Sequence, residues 1–370
     1  MYDGLILGAG AIGLSLAYEL AQHGWKVRVV DRGEPGREAS WAGAGILPPA
    51  NQQHARDPLE QLRGLSCRLH VSWAEQLRAE TGIDTGYRAC GGIHVARQPG
   101  EVASLKVAVR DWSAEGIESI PLDAAGLRQR EPALAAFHSG QVTAAYWLPG
   151  EAQLRNPWHM RALLRACEQR GVEISQRQEV LGWETEHGSV TAVKTARGAL
   201  RARTICVAAG AWTTALLQPL GLRLELRPWR GQMALLGGPR GLLQHVINEG
   251  PRYLVPRDDG RVLVGSTMED VGFDKSTTPH AVAQLVQFAH ELVPDLRSAP
   301  IEQSWAGLRP GTGDGMPYLG RMPGYDNLFV AAGHFRNGLY LSPATAVVMG
   351  QIMREQAPAI DLTMFRPARG

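Results

Sequence analysis

The sequence predicts an α/β fold of two interleaved domains: a Rossmann-like domain with a parallel sheet, and an α+β domain with an antiparallel sheet. A glycine-rich turn follows the apolar run 5–7, the strand-turn-helix order of nucleotide-binding units. The apolar run 328–332, a glycine-bounded loop and a helical pattern repeat that order near the other end. Between them, residues 222–303 are rich in strand-like segments.

The first element is the turn at Gly8, Gly10 and Gly13. In such a turn the first glycine permits the bend, the second lets a pyrophosphate approach the backbone, and the third packs helix against strand. A helix is expected from about 11 to 23, and a strand over 25–30 ends in Asp31, 18 residues after Gly13. A carboxylate at roughly that distance suits a ribose hydroxyl. The pattern therefore predicts a dinucleotide site.

Capping residues mark the helices that follow. Asp57 with Pro58, and Thr278 with Pro279, predict N-termini. The same reasoning makes Asn156 the cap of a helix that begins with Pro157, and Ser342 the cap of a last helix that begins with Pro343. The turn 258–260 predicts a hairpin.

The domains follow from where these patterns change. Residues 83–140 differ in character from the segments around them and resemble an insertion. We therefore predict that the nucleotide-binding domain consists of 1–82, 141–218 and 304–370, and the substrate-binding domain of 83–140 and 219–303.

Composition limits the function classes. The chain is 44% apolar and 20% charged with a net charge of +2, which gives no reason to expect nucleic acid as a partner. No apolar run is long enough to predict a membrane span, and Asp3 stands where a signal peptide would be basic. The four cysteines show no Cys-x-x-Cys spacing and no neighbouring histidine cluster, which predicts free thiols, no metal site and a cytoplasmic protein.

The chemistry expected at the site follows from what accompanies the glycine turn. The chain has no second glycine fingerprint and no redox cysteine pair, which favours one tightly held cofactor. A flavin fits better than NAD, because an NAD dehydrogenase usually offers an acid-base His or Lys beside its substrate and no such arrangement is visible in the sequence. Arg309 lies in the mostly apolar run Trp305–Gly311, where a cation needs an anionic partner. That partner is either a substrate carboxylate or an acid of the protein itself. Arg336 is open to the same two interpretations, and Tyr253 to a site role or a core role.

Several motifs together resemble one family. The chain is similar to the glycine oxidases of thiamine biosynthesis, within the D-amino acid oxidase and sarcosine oxidase superfamily of FAD enzymes. The resemblance covers nearly the whole length and includes the combination Trp-Ala-Gly-Leu-Arg-Pro-Gly with Gly-His-Phe-Arg-Asn-Gly. The segments that carry it are 8–13, 38–47, 253–268, 305–311, 317–320 and 333–338.

The resemblance implies a D-amino acid oxidase-like fold and a noncovalent FAD, since no cysteine near His334 corresponds to the flavin-linking residue of sarcosine oxidases. In the family, residues at the positions of Ala11 and Ile12 face the pyrophosphate, Asp31 and Arg32 lie at the ribose, and Val180 lies at the adenine. The full set of cofactor residues that the turn and the resemblance imply is Gly8, Gly10, Ala11, Ile12, Gly13, Asp31, Arg32, Ala39, Ser40, Ala44, Gly45, Ile46, Val180, His334, Phe335, Arg336, Asn337, Gly338, Leu339 and Tyr340.

The resemblance also implies the substrate residues. Arg309 is expected as the main ligand of the carboxylate, with Arg336 and the phenol of Tyr253 as further ligands, and Met268 as part of an apolar wall. The implied reaction is hydride transfer from the amino acid Cα to flavin N5, with dioxygen as electron acceptor. Two departures concern the pocket rim: Ile46 stands where some members have Met, and Pro251-Arg252 precedes Tyr253 where some have His.

Three functions remain open at this level. The leading one is an FAD-dependent oxidase of glycine and small D-amino or N-alkyl amino acids, which yields 2-oxo acid, ammonia and hydrogen peroxide and supplies iminoglycine for thiazole synthesis. The alternative is a D-amino acid dehydrogenase that passes electrons to a quinone. A third is an FAD-binding protein with a structural or RNA-modifying role. The family often forms tetramers, which predicts a homo-oligomer. The absence of a long apolar run predicts no stable membrane insertion.

Overall fold

The computed structural model describes residues 1–134 and 143–369. The predicted domain boundary at 140/141 therefore lies outside the described residues. The α-helices of the described part are α1 (Ala11–Gln22), α2 (Ala39–Ala42), α3 (Pro58–Thr81), α4 (Pro99–Ala114), α5 (Ala124–Arg130), α6 (Asn156–Gln169), α7 (Thr213–Leu217), α8 (Pro279–Leu292) and α9 (Gly338–Met353). The strands are β1 (Tyr2–Leu7), β2 (Val27–Val30), β3 (Ile46–Leu47), β4 (Gly92–Ala96), β5 (Ile120–Pro121), β6 (Ala144–Leu148), β7 (Ala152–Gln153), β8 (Glu173–Ser175), β9 (Val180–Glu186), β10 (Ser189–Thr195), β11 (Gly198–Leu200), β12 (Ala202–Val207), β13 (Leu226–Leu236), β14 (Val246–Glu249), β15 (Arg252–Pro256), β16 (Val262–Gly265), β17 (Ile301–Thr312), β18 (Tyr318–Arg321) and β19 (Leu328–Ala332).

A six-stranded sheet forms the Rossmann-like part, in the order β18-β19-β12-β1-β2-β8. Its pairs are parallel except that of β18 with β19. Strand β1 lies inside this sheet and its residues Leu5–Leu7 are buried, as expected for a strand covered on both faces. Helices α1, α6 and α9 contribute to one apolar core on this sheet. The predicted parallel sheet and the first strand-turn-helix are confirmed.

An eight-stranded sheet forms the second part, in the order β17-β13-β16-β15-β14-β4-β6-β5. Its pairs are antiparallel apart from β14 with β4. Helix α8 packs into an apolar core on one face of the sheet. The other face carries Met233, Val246, Tyr253, Val255 and Leu263.

The strand pairing departs from the predicted assignment of two segments, and the domain limits themselves stay predictions. The piece 141–218 was assigned to the nucleotide-binding domain, but β6 pairs with β4 in the eight-stranded sheet. The piece that begins at 304 contains most of β17, which pairs along β13 in that same sheet. The limits at 82/83 and 218/219 stay predictions.

Most predicted helix starts are confirmed. The side chain of Asp57 accepts from the backbone N–H of Glu60, and that of Thr278 accepts from Ala281. Strands β15 and β16 form the predicted hairpin. Within the described residues, no helix is both long and apolar enough to cross a membrane.

Two predicted caps are wrong. Asn156 is the first residue of α6 and its amide donates to the carbonyl oxygen of Ser40, 2.7 Å away, so it joins two segments instead of capping. Helix α9 begins at Gly338, four residues before Ser342. Pro343 lacks the N–H that would bond to Leu339 O, and the Ser342 hydroxyl donates to that oxygen at 2.9 Å. The hydroxyl thus compensates for the proline, and the helix continues through it.

Candidate active site

A cavity of about 720 Å³ lies between the two sheets, within the range of roughly 300–1,000 Å³ usual for small-molecule and cofactor sites. It extends from the glycine turn after β1 to the face of the eight-stranded sheet. Of the predicted cofactor residues, all except Gly13 line it. The structure thus brings segments separated by some 300 positions of the sequence around one space, while their individual ligand roles stay predictions.

The three glycines of the first turn occupy three different environments. Gly8 has φ +115°, a conformation open to glycine, and a Cβ there would lie 2.4 Å from Ala208 O. A Cβ on Gly13 would lie 1.9 Å from Gly8 O, where α1 passes over the turn. At Gly10 the nearest atom is Ser40 Oγ at 3.2 Å, and the residue faces the cavity. This distribution matches the division of roles that a pyrophosphate-binding turn requires.

Backbone N–H groups of α1 face the same end of the cavity. The helix has no side-chain cap at Gly10, and of its first N–H groups that of Ala11 bonds to Ser40 Oγ at 2.8 Å. Asp31 at the end of β2 accepts from Ala9 N at 2.7 Å and Gly33 N at 2.8 Å. Its carboxylate is thereby fixed beside the turn, with lone pairs left for further donors.

The segment 38–47, rich in small residues, contains α2 and the short strand β3. Gly45 has φ +76° and passes so close to α6 that a Cβ would lie 2.0 Å from Leu154 O and 2.6 Å from Asn156 Oδ1. That amide oxygen is buried without a hydrogen-bond partner in the described part of the chain. The half-buried Arg257 donates to Ala44 O at 2.7 Å and to Leu154 O at 3.0 Å, which ties the hairpin to this segment.

The closing loop and α9 cover the cavity from the other side. Phe335 has φ +51°, unusual for a residue with a side chain, and its ring meets Trp229 edge to face at 6.3 Å. Gly338, Leu339 and Tyr340, in the first turn of α9, line the cavity. The helix N-terminus predicted at Ser342 therefore lies one turn earlier, and its free N–H groups are the ones available to a negatively charged ligand group.

These features fit FAD. One end offers the glycine turn, a helix N-terminus and the Asp31 carboxylate, and the middle offers small residues with an unsatisfied amide oxygen. The other end offers a second helix N-terminus. Val180 and Arg32 also line the cavity, and Arg32 stacks on Trp212 at 4.0 Å.

Arg309 is the charged group at the substrate end. Its guanidinium lies over Gly231, where a Cβ would be 2.1 Å from Nη1. It donates to Thr267 O at 3.1 Å and to Ser266 Oγ at 2.8 Å, and no carboxylate pairs with it in the described part of the chain. Burial lowers the pKa of the Arg309 guanidinium, and the positive charge of Arg336 acts in the same direction. Two partners were considered from the sequence: a substrate carboxylate and an acid of the protein itself. The described residues do not provide the acid.

Tyr253 and Arg336 share this end of the cavity with Arg309. The Tyr253 ring lies over Gly265, where a Cβ would be 2.5 Å from Cε2, and its hydroxyl is 3.4 Å from Met233 Sδ. Arg336 is exposed and its Nη2 is 3.4 Å from Pro251 O.

Met268 is not brought to the site. It follows the end of β16, where the chain leaves the sheet, and it is 55% exposed and does not line the cavity. The part of Met268 in an apolar wall near the substrate stays a prediction.

The cavity contains residues that sequence reasoning missed. Asn156 was interpreted as a cap, and Asn248 lies in a short strand without any motif. Ala208–Trp212 follow β12, and a signal for them is present in the sequence, because that strand ends in small residues as β1 does. Asn248 is identified only by the strand pairing, which places it directly opposite Tyr253.

Comparison with known proteins was made on the whole chain. The family described as DAO, FAD dependent oxidoreductase, matches residues 3–352. A glycine oxidase from Pseudomonas aeruginosa is 36% identical over 365 residues, which are 98% of each chain. A bifunctional protein ThiO/ThiG from Synechocystis is 36% identical over 99% of this chain and 54% of that protein. The crystal structure of glycine oxidase from Geobacillus kaustophilus superposes with a TM-score of 0.94 at 33% identity, covering 100% of this chain and 99% of that one.

Proposed function

We propose that this chain, which belongs to the DAO family of FAD-dependent oxidoreductases, is an oxidase of glycine and of small D-amino or N-alkyl amino acids. The observation that carries the substrate assignment is Arg309, a half-buried arginine that faces the cavity without a carboxylate partner in the described residues. A buried cation requires an anion, and guanidinium matches a carboxylate with two parallel hydrogen bonds. Similarity to glycine oxidases over nearly the whole length supports the same substrate class.

The residues that would hold the FAD are those that line the cavity from Gly8 to Ile46 and from His334 to Tyr340. When bound, FAD supplies a two-electron acceptor that takes a hydride from the substrate Cα at N5 and passes the electrons to dioxygen, so that imine and hydrogen peroxide leave. The His334 side chain is not available as a base, because it is buried, bonds to Thr345 Oγ1 at 3.1 Å, and burial lowers its pKa to about 3.

The chain's own contribution is to position the substrate. Arg309, Tyr253 and Arg336 bind and orient the carboxylate, so that the Cα–H bond is held toward the cofactor and little further catalysis is needed. Such a site needs no side-chain base if the amine binds neutral. We therefore expect activity to rise with pH until the substrate amine is mostly deprotonated.

The cellular role follows by the same similarity. A relative that joins this kind of chain to a second activity is named ThiO/ThiG, which supports a role in supplying iminoglycine for thiazole synthesis. The imine is otherwise hydrolysed to the 2-oxo acid and ammonia.

Anaerobic mixing of the yellow holoenzyme with glycine, sarcosine, D-alanine and D-proline tests the proposal. Loss of visible flavin absorbance with at least one of them is expected, followed by recovery within seconds on admission of air, with one hydrogen peroxide formed per amine. Bleaching that air does not reverse but a soluble quinone does would establish the dehydrogenase alternative. A flavin that no amine bleaches would overturn both functions.

A further inference from the structure

We propose that Asn248, oriented by Glu151 and His94, forms a second substrate subsite that binds a hydrogen-bond donor on the substituent of a larger amino acid. The inference rests on the proposed function and extends it to the substrate class. It starts from a row of paired residues on the cavity face of the eight-stranded sheet.

The register places five residues in one row across adjacent strands: Met233 opposite Gly265, Gly265 opposite Tyr253, Tyr253 opposite Asn248, and Asn248 beside His94. Side chains of directly paired residues project from the same face of a sheet. Asn248 therefore stands next to Tyr253 on the cavity face, and it lines the same cavity.

Arg309 and Tyr253 converge away from Asn248. Arg309 on β17 extends over Gly231 of β13, and Tyr253 on β15 extends over Gly265 of β16, the strand next to β13. Their polar ends thus lie over β13 and β16, whereas Asn248 is on β14, two strands beyond β16. With strands about 4.8 Å apart, two spacings put the Asn248 strand roughly 10 Å from the carboxylate end. Glycine is too short to reach both, and a substituted amino acid can.

The Asn248 side chain is held in one orientation. Its Nδ2 donates to Glu151 Oε1 at 2.9 Å and lies 3.3 Å from His94 Nε2. The other Glu151 oxygen is 2.9 Å from His94 Nε2, and Trp112 packs edge-on against His94 at 4.9 Å. Glu151 is only 2% exposed, and a Cβ on Gly92 would overlap its carboxylate, so the cluster has little room to rearrange.

This orientation leaves one atom for a ligand. Because the carboxylate of Glu151 accepts and does not donate, Asn248 must direct its NH₂ toward it and its Oδ1 away from it. In the part of the chain that the structure describes, no group donates to Oδ1. The atom is also not one of the fully buried polar atoms that lack a hydrogen-bond partner, so a ligand can reach it. An acceptor backed by a buried carboxylate and facing the cavity selects a donor such as a hydroxyl, an amine or an amide N–H, and disfavours a carboxylate.

Matched substrates of equal shape test the subsite. The pairs are N-(2-hydroxyethyl)glycine with N-propylglycine, and D-homoserine with D-norvaline, assayed on the holoenzyme as kcat/KM. In at least one pair the hydroxyl compound is expected to be preferred by about ten-fold, as a buried acceptor left unpaired by the methyl analogue costs roughly 1–3 kcal/mol. Asn248→Leu is expected to abolish or reverse that preference, a ratio of two kcat/KM values measured on the same variant.

Glu249→Gln is the matched control, because Glu249 is the next residue of β14 and bonds to Arg97, which does not line the cavity. It should keep the preference. If Asn248→Leu fails to bind FAD, Asn248→Ala takes its place. Equal efficiency within both pairs, or a preference that survives in the Asn248 variant, would overturn the subsite. If no amine bleaches the flavin of the wild-type enzyme, the proposed function is wrong. Spectral titration with the same compounds as unreacted ligands would still test the subsite.

Discussion

The turn Gly8–Gly13 and the side chains of Arg309, Tyr253 and Asn248 lie at different parts of one cavity, and they shape it by different means. At the turn, the surface is made of backbone, and the contacts that fix it come from the turn itself, from the ends of the neighbouring strands and from Ser40. At the substrate end, the surface is made of side chains from strands that are far apart in sequence. A site made of backbone tolerates substitution of the side chains around it but not the addition of a Cβ to one of its glycines. A site made of side chains loses one specific hydrogen bond with each substitution.

The strongest way to break this contrast is Gly13→Ala. The added Cβ would lie 1.9 Å from Gly8 O, so α1 cannot pack over the turn without moving. We expect a protein that does not retain FAD and is destabilised by several kcal/mol, as overpacked cores typically lose about 1–3 kcal/mol or more. FAD content after purification and thermal melting of the apoprotein measure it. Gly10→Ala is the comparison, since its nearest neighbour is Ser40 Oγ at 3.2 Å, and its apoprotein should melt close to the wild type.

At the other end, Arg309→Ala should leave the protein yellow and raise KM for glycine by about 10- to 100-fold, because a charge-assisted bond contributes roughly 1.5–3 kcal/mol. Acetate, which offers a carboxylate alone, should lose affinity as an inhibitor by a similar factor. Steady-state kinetics with acetate as competitor measures both, and Arg309→Lys should recover part of each. Unchanged KM and inhibition constants would show that the carboxylate binds elsewhere.

The surroundings of the histidines also differ between the two parts of the molecule. His159 and His334 in the Rossmann-like part are buried without a carboxylate partner among the described residues, and burial lowers the pKa of each to about 3. In the other part, His94 and His245 lie beside Glu151 and Glu131. Below about pH 6.5 the unfolded chain takes up protons that the folded His159 and His334 refuse, so stability should fall as pH decreases from 6.5 toward 3.

The slope of that loss can be tested at one residue. Each such histidine contributes up to about 1.4 kcal/mol per pH unit, so His159→Leu should reduce the slope of unfolding free energy between pH 6.5 and 4 by roughly that amount. Urea unfolding of the apoprotein across this range measures it. The exposed His280 supplies the control, His280→Gln, whose slope should match the wild type. An unaltered slope in the His159 variant would contradict the assignment.

The smallest expected effect concerns the middle of the cavity. Asn156 joins α6 to Ser40 and presents an unpaired buried oxygen. Asn156→Ala should weaken FAD binding by about 2- to 10-fold, the equivalent of one hydrogen bond of roughly 0.5–1.5 kcal/mol. FAD titration of the apoprotein, followed by tryptophan quenching, measures it against Asn51→Ala, which lies outside this cavity. Equal dissociation constants in the two variants would remove Asn156 from the FAD site.

The same contrast explains what could be predicted from sequence. The glycine turn, its helix and the hairpin at 258–260 depend on neighbours along the chain, and all were predicted and are confirmed. The start of α9 was missed because the pair Ser342-Pro343 is typical of a helix start. The same pair can also stand inside a helix, where the serine hydroxyl replaces the backbone hydrogen bond that proline cannot make. Asn248 and Asn156 were missed because their roles depend on pairing and packing between distant segments. Arg309 was found through its apolar surroundings, yet whether an acid of the protein neutralises it needed the structure.

The central claim is that one cavity holds FAD and, beside it, the carboxylate of an amino acid at Arg309. Anaerobic stopped-flow bleaching of the holoenzyme by glycine, with and without acetate, tests it most directly. The account predicts a bleaching rate that saturates with glycine, and acetate that raises the half-saturating concentration without changing the limiting rate. Bleaching that acetate does not slow, or a flavin that neither glycine nor any other small amino acid bleaches, would contradict it.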